Sequence, residues 1–226
     1  MAIAPRAGVR EGWDAGRGVV RAMRGDAHLV IGACAAVPVA LLGGGHLALF
    51  PCALAGAVGG LLPDIDHPHS TLGRCVPWPA VETVNHRTGF VAHGRRWFGG
   101  RKVWHRGETH SVGASGIAAI VAGGAVWWPS LVAMRALARV RDIGLPPGEV
   151  ALAMAGMVAG SVLAGYLSHL VADLANVSPQ MLWWPFSRRL VRVWRGIREA
   201  DGRWAEVVGM AAACAGAVLL WSGRPL

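Results

Sequence analysis

Five apolar runs, at positions 28–42, 47–62, 112–134, 150–171 and 205–221, divide the chain and constrain its fold more than any other feature. Runs of this length with almost no charge must bury their faces in one another or in lipid. The first two, at about 15 or 16 residues, are slightly shorter than the 20 or so that cross a bilayer; flanking residues, local thinning or burial in a bundle make up such a deficit. Composition decides for lipid. Charged residues are 15% of the 226 positions, against about a quarter in soluble domains, and apolar residues are 54%. The 32 Gly and 11 Trp suit helices packed closely in a membrane. The expected fold is all-α, a polytopic membrane helix bundle with about five transmembrane helices. Gly156 and Gly160 in the fourth run have the GxxxG spacing of close helix contacts.

The formal charge is +9, and Lys102 is the only lysine. If every run crosses, one side receives the tail before the first run, the 64–110 connection and the 174–204 segment, with eighteen Arg/Lys together; the other side holds four. This asymmetry places the N-terminus on the cytoplasmic side. Residues 1–27 are Arg- and Gly-rich, without the apolar core of a secretory signal, and read as a flexible basic tail before a membrane-embedded domain over 28–222. Cys34, Cys52, Cys75 and Cys214 have no C-x-x-C spacing, which argues against a disulfide framework or a thiolate metal site.

The polar residues converge under this topology. His28 opens the first run, Asp64 and Asp66 close the second, His105 and His110 in "HRGETHS" precede the third, and His169 and Asp173 in "SHLVAD" close the fourth. All seven fall at one membrane face, where ionisable groups are costly and mark sites. His169 and Asp173, four apart, share a helix face; His105 and His110, five apart, would diverge on a helix, so that stretch reads as a turn. Imidazole with carboxylate, and no cysteine, suits a divalent metal: zinc first, with manganese or iron as alternatives. Seven candidates exceed one tetrahedral shell, so one or two ions are expected, activating water for hydrolysis. Asp66, His110 and Glu108 are the catalytic candidates, and Arg74 and Arg106 are placed to bind a phosphoester. His67 and His69 rank lower, and His46, His86 and His93 fall away from the cluster. HExxH, GxSxG and phosphate-loop signatures are missing, as are the upstream elements of type-2 phosphatidate phosphatases.

Three stretches, "LLPDIDHPHSTLGR", "HRGETHSV" and "GYLSHLVADLANVSPQMLWWPF", resemble in order and placement the YdjM-like family of bacterial membrane-bound metal-dependent hydrolases, some of which are under LexA control. The resemblance runs over about residues 28–186. It implies an integral-membrane hydrolase in which Asp64, Asp66, His105, His110, His169 and Asp173 match the family's polar motif positions and His28 its early histidine. Glu108, at a position usually apolar in the family, and "LANVSPQ" after Asp173 depart from the pattern. The apolar enclosure and nearby arginines point to a membrane lipid carrying a phosphoester as substrate. No nucleic-acid partner is expected, and a homo-oligomer is left open. The competing expectations are a non-enzymatic divalent-metal protein or carrier, whose ligands would be expected near the midplane, and a purely structural membrane protein.

Overall fold

The computed structural model describes residues 25–66, 70–75, 96–98, 101–103, 107–140, 146–174 and 180–191, and these are nearly all helical. The first apolar run is not one continuous helix. Pro38 has no N–H to offer the carbonyl four residues back, so α1 (Gly25–Ala35) ends and α2 (Val37–Gly43) begins across Ala36, whose N–H bonds Ala33 O at 3.3 Å. Gly45 then adopts φ 61°, a left-handed conformation that favours glycine, and a 3-10 turn, Gly45–Ala48, leads into α3 (Leu49–Leu61). A second 3-10 turn, Leu62–Asp66, prolongs α3 past Pro63. A short antiparallel hairpin pairs β1 (Arg96–Phe98) with β2 (Arg101–Val103) inside the polar connection. The long helices α4 (Val112–Val140) and α5 (Pro147–Leu174) follow, and α5 opens with proline at its first position, where no backbone donor is lost.

Among the described residues four stretches are long and apolar enough to cross a membrane: Asp26–Gly43, Gly45–Ile65, Val112–Arg139 and Pro147–Leu174. The first two reach 18 and 21 residues because the helical turns run beyond the apolar runs at both ends. At about 1.5 Å per residue they match a hydrocarbon core of about 30 Å without thinning. The expected fifth run, 205–221, and the tail before residue 25 lie outside the described residues.

Helix α5 is the centre of the arrangement, packing on α1, α2, α3 and α4, while α1 also packs on α3. Glycine permits this closeness, though not at the GxxxG pair singled out above. Gly156 faces open space, and Gly160 meets only the Val39 side chain. The close contacts are instead at Gly56 and Gly60 of α3, another GxxxG pair, whose added Cβ atoms would strike the carbonyl oxygens of Gly32 and His28 on α1. Gly59 lies against the Val162 carbonyl of α5, and Gly165 against that of Gly56. Without a hydrophobic drive between helices in lipid, such backbone approach supplies the packing attraction. Toward the Gly45 turn the filling is Ala36, Ala40, Ala48 and Cys52, with Leu49 and Met157 packed against them.

Candidate metal centre

Four helix ends meet at the opposite end of the bundle. His28 sits in the first turns of α1, and Asp64 in the 3-10 extension of α3. His110 closes a 3-10 turn, Glu108–His110, directly before α4, and His169 and Asp173 occupy the last turns of α5. The i, i+4 spacing of His169 and Asp173 brings His169 Nε2 to 3.5 Å from Asp173 Oδ2. The same Asp173 oxygen is 3.4 Å from His110 Nε2. Asp64 Oδ1 lies 3.4 Å from His110 Nε2 and 3.6 Å from His169 Nε2. His110 and His169 are fully buried, Asp173 nearly so, and Asp64 is the open member at 19% exposure.

These four separations are too long for hydrogen bonds, and the His169 Nε2 atom is buried without one. A tetrahedral ion with bonds of about 2.0–2.2 Å to imidazole nitrogen and carboxylate oxygen would set neighbouring ligand atoms about 3.3–3.6 Å apart. Asp64 Oδ1 and Asp173 Oδ2 each lie at this spacing from both His110 Nε2 and His169 Nε2, so these side chains could hold a divalent cation, and the buried Asp173 and half-buried Asp64 carboxylates would supply matching charge.

Surrounding groups fix the ligands. The Gly60 carbonyl accepts a hydrogen bond from His169 Nδ1 at 2.6 Å, which leaves the Nε2 lone pair for an ion. The same carbonyl belongs to the glycine on which the His28 backbone rests, so the α1–α3 contact and the His169 tautomer are set together. Thr109 Oγ1 is 3.2 Å from His110 Nδ1, and the Tyr166 hydroxyl donates to the Thr109 carbonyl, tying α5 to the turn that carries His110. Ser70 Oγ donates to the Asp64 carbonyl at 2.7 Å and accepts from Gly73 N–H at 2.9 Å.

The metal-ligand geometry gathers two sets, His28 with Asp64 and His169, and His110 with His169 and Asp173. Both include His169, and with Nδ1 committed to Gly60 its single remaining lone pair serves one ion. The two sets therefore overlap in one cluster of potential ligands among the described residues. His28 flanks the cluster: its ring stacks on that of His169 at 3.7 Å between centroids, and its Nε2 is 3.8 Å from Asp173 Oδ1.

The other sequence candidates fall differently. Asp66 closes the 3-10 turn after α3, and its side chain lies outside the described residues, as do His67, His69, His105 and Arg106. Glu108 opens the turn before α4, where its carbonyl accepts from the Ser111 hydroxyl. Arg74 is exposed in the short turn Gly73–Cys75, and His46 is exposed at the far end of the bundle. Gly60, Thr109 and Tyr166 were not singled out from the sequence. Their contribution is a backbone oxygen, a neighbouring hydroxyl and a phenol from another helix; only the Gly59-Gly60 pair leaves a sequence trace.

The profile of the YdjM inner membrane protein family matches residues 23–224, wider than the motif region alone. The chain belongs to that family. With four helical stretches among the described residues able to cross a bilayer, it is an inner membrane protein. Inner membrane protein YdjM of Escherichia coli (strain K12) is 33% identical over 127 residues, 55% of this chain and 44% of that protein. Inner membrane protein YdjM of Shigella flexneri matches to the same extent. The matched segment thus spans under half the length of either relative. No solved structure matches the chain.

Proposed function

We propose that this chain is a membrane-bound metal-dependent hydrolase acting at the cytoplasmic face on a phosphoester-bearing lipid or another membrane-delivered ester. The observation that carries the reading is the set of buried His110, His169 and Asp173 with half-buried Asp64, whose four nitrogen–oxygen separations are 3.4–3.6 Å. A divalent ion bound there would supply Lewis acidity and lower the pKa of a water. Zinc suits two imidazoles and two carboxylates best, with manganese or iron next. Asp64, the one partly exposed ligand, marks the side from which water and substrate approach. Arg74 lies on the loop that Ser70 pins to the Asp64 carbonyl, and its guanidinium suits a phosphoester. The test is elemental analysis of detergent-purified wild type, His169→Ala and Asp173→Ala, followed by phosphate or headgroup release from a lipid panel. One ion per chain in wild type and none in the variants, with metal-dependent turnover, is expected; a wild type without metal after reconstitution rules the reading out.

A second reading, a non-enzymatic metal protein, draws on the number of donors. Asp64, His110, His169 and Asp173 could together supply four ligands, as in structural sites, whereas catalytic ones keep a position open. Bound metal that raises thermal stability without any turnover across the panel would select it.

A further inference from the structure

Residues 180–191 form a strap across the two helix ends that hold the centre. Its base is secured by pairing of the Gln180 and Val191 backbones, at 3.1 and 2.8 Å. The buried Gln180 side chain donates to the Leu170 carbonyl at 3.0 Å, between His169 and Asp173 in the chain. Farther along, the Leu182 and Trp184 carbonyls accept from Val112 and Gly113 at 2.9 and 3.0 Å, satisfying donors that the first turn of α4 would leave unpaired. Any side chain at Gly113 would strike the Trp184 carbonyl, so the seat is shaped to the strap.

Beyond this seat the strap turns outward. Phe186 is 94% exposed and Trp183 53%, while Arg188, Arg189 and Leu190 are exposed beside them. Depth says what meets them. The seat of the strap is bonded to Val112, where the α4 span begins, which sets the exposed residues that follow beside the end of a membrane-spanning helix, where hydrocarbon gives way to headgroups. Aromatic rings concentrate at that boundary, and adjacent arginines attract anionic headgroups there.

We infer that the tip of the 180–191 strap is a docking surface for anionic phospholipid, with Trp183 and Phe186 set among the acyl-chain ends of the headgroups and Arg188 and Arg189 on their phosphates. The strap couples such lipid to the ends of α4 and α5. This docking stands independently of the hydrolase reading, since it requires neither metal nor turnover.

The test uses the full chain in vesicles of phosphatidylcholine mixed with equal parts phosphatidylglycerol, either lipid carrying bromine near its headgroup. Subtracting the emission of Trp183→Phe from that of wild type isolates Trp183. Brominated phosphatidylglycerol should quench this component with a relative association constant about tenfold above that of brominated phosphatidylcholine, and the double variant Arg188→Gln/Arg189→Gln should bring the ratio toward one. Equal quenching by the two lipids in wild type overturns the anionic docking. No quenching by either overturns the membrane contact altogether, leaving water or a second copy of the chain over the tip. Metal content measured on the same samples keeps the outcome separate from that of the hydrolase reading.

Discussion

The two ends of the bundle are built from the same helices and solve opposite problems. Toward the Gly45 turn, Ala36, Ala40, Ala48 and Cys52 fill the space with small apolar groups, and the one histidine nearby, His46, is exposed. At the other end His28, His110, His169 and Asp173 are buried. Apolar packing is graded, because each lost contact subtracts a little. A buried group of imidazoles and carboxylates is not, because removing one member leaves the others in low dielectric without compensation. The comparison teaches that this fold concentrates its intolerance at one end, where the histidines and aspartates meet, and leaves the other end as adaptable filling.

The largest effect should come from breaking the polar end. Asp173→Ala removes a carboxylate facing both His110 and His169 and should lose bound metal together with about 3–5 kcal/mol of stability. Thermal unfolding in detergent, with and without chelator, checks this: chelation should lower the wild-type midpoint and leave the variant unmoved. A chelator-insensitive wild type would make the two ends alike and remove the ion from the account.

Next is the glycine contact that joins the polar end to the helix packing. Gly60→Ala drives a methyl group into the His28 carbonyl and displaces the oxygen that orients His169. About 3 kcal/mol, the upper part of the overpacking range, is expected because backbone cannot step aside as a side chain does. Metal affinity should fall with it. Gly156→Ala, in open space, should be neutral or slightly stabilising. Equal losses at Gly60 and Gly156, in unfolding and in metal titration, would erase the distinction.

The sequence already contained much of this arrangement. Apolar runs announced the spans, and the polar residues at their ends announced which ends meet, because an ionisable group beside hydrocarbon needs partners. Three kinds of detail were hidden. Helix limits moved because α1 begins before His28 and the turns at Gly45–Ala48 and Leu62–Asp66 continue the second span at both its ends through residues that are not strongly apolar. Helix contacts were misplaced because GxxxG spacing occurs at both 56–60 and 156–160, and spacing alone does not say which face of a helix meets a neighbour. The groups that orient the ligands were hidden for a third reason: a Gly60 carbonyl or a Tyr166 hydroxyl reaching Thr109 is a product of the assembled fold, not of any local pattern.

At the apolar end Met157→Ala sharpens the comparison. Its side chain lies against Gly43 and Gly44 and packs on the alanine and cysteine core, so truncation leaves a void costing about 2 kcal/mol. Metal content should stay at the wild-type value. A variant that lost metal as well as stability would show that the two ends are coupled through α5, and the graded behaviour assigned to this end would not hold.

The smallest effect probes how a local cap serves the polar end. Ser111 precedes α4 and is buried; its hydroxyl oxygen accepts from Ala114 N–H at 3.1 Å, satisfying a donor of the first turn, while the same hydroxyl donates to the Glu108 carbonyl. It therefore stitches the His110 turn to the helix. Ser111→Ala should cost about 1 kcal/mol and weaken metal binding by about fivefold if that cost falls wholly on the His110 position. Ser115 gives the control. It is equally buried and its hydroxyl donates to the Val112 carbonyl at 2.6 Å, but that carbonyl already has a place in the helix and no cap is lost with it. Ser115→Ala should change stability by under about 0.5 kcal/mol and leave metal affinity alone. If unfolding and metal titration found the two serines equivalent, burial of a hydroxyl would explain both, and the cap would have no special part in holding His110.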